Sequence, residues 1–154
     1  LDLLLHLAGP VAQLGGFART SPLRSIDTED IACAALRFAS GAIGTLDATT
    51  VAEPGWPERI EIAGTGGSAT LVAERLELRV RERPAEIMDG ASAGGGGADP
   101  MAFDHRPHGA MIAEMLDAIT AGRAPSNAGR TGLAVQRTIE ALLDSAQSGR
   151  FVDL

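Results

Sequence analysis

Residues 30–40, DIACAALRFAS, place the strongest demand on any fold this chain can adopt. As a strand, the segment alternates its side chains, putting Ile31, Cys33 and Ala35 on one face and Ala34, Leu36 and Phe38 on the other. Both faces are apolar, so both need cover. A chain of 154 residues normally supplies helices for one face only. The other face is therefore expected to meet a second subunit.

The flanking segments read as more sheet. AIGTLDATTVA (42–52) follows across Ser40-Gly41, a favourable tight-turn pair, and completes a hairpin. VAQLGGFART (11–20) reads as a strand weakened by Gly15-Gly16. Beyond the loop EPGWPE (53–58), the run RIEIAGTGGSATLVAERLELRVRE reads as three short strands. Leu76, Leu78 and Val80 alternate there with Glu77 and Arg79, and one wet face puts these strands toward the sheet edge.

Residues 82–101 have no period and contain four consecutive glycines, which predicts a mobile surface loop. Two helices should follow. Met111, Ile112, Met115, Leu116 and Ile119 form the apolar stripe of the first. Leu133, Val135, Ile139, Leu142, Leu143 and Ala146 form that of the second, and Gly122 and Gly149 end the two helices. FVDL closes as an extended tail. Strands in a run and then helices in a run indicate an α+β fold: a largely antiparallel open sheet with helices on one face.

The chain opens on LDLLLHLA, a helical segment with no capping side chain before it, stopped by Gly9-Pro10. A domain rarely starts in mid-helix, so an upstream part is expected to be missing.

Composition removes several function classes. The net charge of −7 disfavours nucleic acid and anionic membranes. All 13 basic residues are Arg, and Tyr is lacking as well, which leaves two common proton-transfer groups out of any mechanism run by these residues alone. Cys33 cannot form an internal disulfide and reads as a buried inert thiol, consistent with a cytoplasmic protein.

No local motif assembles an active site. AGTGGS (63–68) imitates a dinucleotide loop, but its glycines separate two β-like segments, so it reads as a hairpin turn. His105 and His108 straddle a helix start at Pro107 and, with His6, make no metal pattern. Trp56 and Arg59, beside a Pro-stiffened loop, are the better candidates, since an aromatic there can line a pocket for a sugar-like ligand. The alternative is that Trp56 covers a sheet end or an interface.

The order of segments resembles the C-terminal domain of the Gfo/Idh/MocA oxidoreductases, the glucose-fructose oxidoreductase and inositol dehydrogenase family. The residues that carry the resemblance are LDLLLHLAGPV, ALRFASGAIGTLDATT, PGWPERIEIAGTGGSATL and the ending from HGAMIAEMLDAITAGRAP to SAQSGRFVDL. The resemblance implies a two-domain enzyme that uses NAD or NADP. A Rossmann domain would hold the nucleotide and supply a Lys from a Glu-Lys-Pro motif. The α+β domain would cover a sugar or polyol substrate and form homo-oligomers through its open sheet.

On this reading residues 1–154 are that C-terminal domain without its Rossmann partner. Asp2 matches the Asp of the family's His-x-x-Asp motif, which puts the catalytic His before residue 1. Asp2 and Trp56 become candidate substrate contacts. No catalytic, cofactor-binding or metal-binding residue is expected in the chain, and the isolated chain should be inactive. A free-standing structural or small-ligand-binding module is the alternative.

Overall fold

The computed structural model describes residues 1–90, 105–126 and 128–154. They fall into two compact units, Leu1–Val51 with Arg106–Leu154, and Ala52–His105. The α+β class holds.

The first unit contains α1 (Asp2–Ala8), β1 (Val11–Arg19), β2 (Ile31–Phe38), β3 (Ile43–Thr49), α2 (Arg106–Thr120), α3 (Gly129–Ser148) and β8 (Val152–Asp153). Its strands form one antiparallel sheet in the order β3-β2-β1-β8. Helix α1 ends at Gly9, whose φ of 85° is readily adopted only without a side chain. Gly149 closes α3 in the left-handed region, with its N–H donated to the Ser145 carbonyl.

The alternation read in residues 30–40 decides which face of the sheet is covered. Ala34, Leu36 and Phe38 are buried with Val11 and Leu14 against Ala141 and Leu142 of α3. Leu4, Leu5 and Ala8 of α1 pack at the margin of this core. On the opposite face Ile31, Cys33 and Ala35 are exposed. Their register partners include Phe17 and Thr45, and Phe17 and Ile43 on that face are 76% and 83% exposed. Cys33, expected to be buried, is therefore exposed, because it points away from α3.

The two glycines of β1 have separate causes. A Cβ on Gly15 would meet the Phe151 ring at 2.7 Å, so the missing side chain gives that ring its seat. One on Gly16 would meet the Cys33 carbonyl at 2.6 Å.

Helix α3 buries Thr138, Ala141, Leu142 and Ser145, whereas Leu133 and Ile139 of the expected stripe are exposed. Helix α2 departs further. Of its residues only Ala118 is buried, and the whole expected stripe from Met111 to Ile119 is exposed.

The second unit contains β4 (Arg59–Gly64), β5 (Gly67–Val72), β6 (Arg75–Val80) and β7 (Glu86–Asp89). They form an antiparallel meander in that order. It is a sheet of its own, not the edge of the first. Strand β7 corrects the loop expected over 82–101: its four residues pair with β6 from Leu78↔Glu86 to Arg75↔Asp89. Four residues are too few to show a period. Residues 91–101 of that expected loop lie outside the described residues.

Register puts Ile60, Leu71, Leu76 and Met88 in one cross-strand row, with Ile62, Ala69 and Leu78 in the next. The other face carries the ion pairs Arg59–Glu61, Glu77–Arg79 and Arg75–Asp89. All three are exposed, so each adds little stability. Among the described residues of this unit none is buried.

Candidate functional site

The sequence candidates occupy different units. Asp2 lies in the first turn of α1, where a carboxylate is favoured by the partial positive charge of a helix start. Trp56 lies in the second unit, 73% exposed, on a loop whose Glu53–Pro54 bond is cis. Arg59 begins β4, and its guanidinium is engaged by Glu61. It therefore presents a neutralised pair to a ligand, not a free cation.

The two largest grooves involve none of these residues. One, of about 420 Å³, is lined by Gly64, Thr65, Gly67 and Ser68 at the β4–β5 turn, together with Arg79 and Arg81. Both cations there are already occupied, Arg79 by Glu77 and Arg81 by the Thr65 carbonyl at 3.0 Å. AGTGGS is the hairpin turn expected of it, with Gly64 paired to Gly67. A Cβ on Gly67 would lie 2.2 Å from the Arg79 carbonyl, so backbone approach, not phosphate, accounts for that glycine.

The other groove, of about 360 Å³, lies in the first unit between Arg19–Thr20, Asp27–Glu29 and the end of α3. Its rim is the connection between β1 and β2, held by a cluster that sequence reasoning missed. Asp30 is buried, and its Oδ1 and Oδ2 accept the Ser21 N–H and O–H, both at 2.7 Å. The Ser21 hydroxyl chiefly, helped by backbone N–H groups and Arg24, holds the Asp30 carboxyl below the usual carboxylate range against the opposing effect of burial. Thr20 adds a bond to the Thr28 carbonyl at 2.8 Å. Nine residues separate Ser21 from Asp30, so no local spacing could have signalled the pair.

Among the described residues no group of His, Cys, Asp and Glu could hold a metal ion. No helix among them is long and apolar enough to cross a membrane.

Residues 1–70 match the family model of the GFO/IDH/MocA C-terminal domain. No curated protein matches the chain in sequence. Among solved structures, an oxidoreductase from Agrobacterium radiobacter in complex with NAD+, L-tartaric acid and magnesium is 28% identical, with a TM-score of 0.76. The match covers 99% of this chain and 46% of that one. The WlbA dehydrogenase from Bordetella pertussis, in complex with NADH and UDP-GlcNAcA, is 25% identical, with a TM-score of 0.78 and coverage of 99% and 41%. The aldose-aldose oxidoreductase from Caulobacter crescentus, complexed with glycerol, shares the fold at 21% identity, a TM-score of 0.77 and coverage of 99% and 44%. The chain thus spans less than half the length of these proteins. In sequence over residues 1–70 it is similar to the C-terminal domain of the Gfo/Idh/MocA oxidoreductases, and in fold over almost its whole length to oxidoreductases of that family.

Proposed function

We propose that this chain is the substrate-side and assembly domain of an NAD(P)-dependent oxidoreductase acting on a hydroxyl or carbonyl of a sugar or polyol. The observation that carries the reading is the match of 99% of the chain to less than half of nucleotide-bound oxidoreductases. In the proposed enzyme a Rossmann domain outside these residues holds NAD or NADP and supplies the proton-transfer groups. Asp2 and the Trp56–Arg59 region contribute to the substrate wall. A position fixed relative to a bound hydride donor is what such a wall offers to catalysis. Without the donor the chain should be silent.

Assembly is the second part of the proposal. The open face of the first sheet combines Phe17, Ile31, Ala35 and Ile43 with Arg19, Arg37 and Asp47. At its margin Asp153 accepts a 2.8 Å hydrogen bond from the Gln13 amide. Two Arg and two Asp make this face neutral, although the chain carries −7. A neutral apolar face can meet its own copy without the repulsion the whole chain would otherwise impose. We place the enzyme in the cytoplasm, with a small-molecule substrate and no nucleic-acid or membrane partner.

The test is a titration of NADH or NADPH onto residues 1–154, followed by fluorescence. No saturable binding is expected. Micromolar affinity for the isolated chain would refute the reading.

A further inference from the structure

Helix α2 is held by its narrow side. Ala118 is its one buried residue, and its carbonyl accepts the Arg123 N–H at 3.0 Å. The Glu114 carboxylate accepts the Arg123 guanidinium at 2.7 Å and the Ser126 N–H at 3.1 Å. At 100° per residue, Ala118 lies roughly 90° from the middle of the Met111–Ile119 stripe, and Glu114 farther still. These contacts fix the roll of the helix so that its broad apolar side is turned outward. Met111, Ile112, Met115, Leu116 and Ile119 are between 45% and 65% exposed as a result. Five large apolar side chains on one helix face exceed what a protein surface usually leaves bare without a partner.

We propose that this stripe is the seat of the dinucleotide-binding domain, an inference that rests on the function proposed above. Two observations favour that occupant over a second copy. Solved oxidoreductases that match 99% of this chain have more than half of their own length outside the match, so a partner of sufficient size accompanies this fold in each. Charge points the same way: beyond its first turn α2 carries Glu114 and Asp117 and no basic residue, unlike the neutral sheet face. A second α2 laid on the first would bring acidic groups together. The molecule would then use two separate apolar faces, the sheet for a copy and α2 for the cofactor-bearing domain.

Amide hydrogen exchange tests this on two proteins, residues 1–154 and the product of the complete coding region. Exchange within Met111–Ile119 should slow at least tenfold in the longer product. The double variant Ile112→Glu/Ile119→Glu should abolish the extra protection while sedimentation of residues 1–154 stays unchanged. Equal exchange in the two proteins would overturn the inference, even if the longer product binds NADH. Loss of a residues 1–154 oligomer in the double variant would assign α2 to the copy interface and overturn it too. Failure of the longer product to bind NADH would instead count against the proposed function.

Discussion

Removing one hydroxyl, that of Ser145, should cost this domain a large share of its stability. Ser145 is 1% exposed, in the last turn of α3. Its Oγ accepts the Gly16 N–H at 3.0 Å and donates to the Arg150 carbonyl at 2.6 Å, while its own carbonyl accepts the Gly149 N–H at 2.8 Å. One side chain thus ties β1, the helix end and the turn into β8. In Ser145→Ala the volume hardly changes, but two backbone groups lose a partner. An unsatisfied buried group costs about 1–3 kcal/mol. Arg150 is exposed, so water can reach its carbonyl and the low end applies, about 2 kcal/mol for the pair. With a urea slope of about 2 kcal/mol/M, the unfolding midpoint should fall by about 1 M. Ser148→Ala, on an exposed position of the same turn, is the control for helix propensity and should move the midpoint by at most about 0.3 M. Equal shifts in the two variants would refute the reasoning, because the tertiary bonds of Ser145 would then carry nothing.

Asp30→Asn should flatten the acid limb of the stability curve. The folded carboxyl titrates below its unfolded value, so its contribution is complete above about pH 4 and is lost as pH falls through the folded pKa. Urea midpoints at pH 3 and pH 7 should therefore differ less in the variant than in the parent, and an unchanged difference would remove Asp30 as the cause. Phe17→Glu, at the exposed centre of the open sheet face, should yield monomers by sedimentation at tens of micromolar without loss of folded signal. A parent chain already monomeric at that concentration would discard the assembly face.

The sheet of the first unit was legible because its signals are local. Alternation in residues 30–40 separates the buried Ala34, Leu36 and Phe38 from the exposed Ile31, Cys33 and Ala35, and Gly9 and Gly149 mark helix ends through backbone freedom that other residues lack. Strand β7 was illegible because four residues give too little period, and it is held by pairing to β6. The split into two sheets was illegible for another reason: a wet face is the same signal on a sheet edge and on a separate small sheet. Of the candidate site, the sequence located the exposed Trp56 loop and the hairpin character of AGTGGS. It missed the neutralisation of Arg59 by Glu61 and the Ser21–Asp30 cluster, since both depend on side-chain geometry.

Helix α2 exposes the deeper limit of periodicity. A stripe at helical spacing states that one side of a helix avoids water, but it does not state which body provides the cover. In α3 the cover is β1, and even there only the part of the helix from Thr138 to Ser145 reaches it. In α2 the stripe is equally regular, yet Glu114, Ala118 and Arg123 turn it away from the core. The same reasoning applies to β2, whose two apolar faces differ only in that one has α3 against it. For both elements the surplus apolar face is therefore a property to be settled by what associates with the domain, and the charges around each face, neutral on the sheet and acidic along α2, are what separate the two associations.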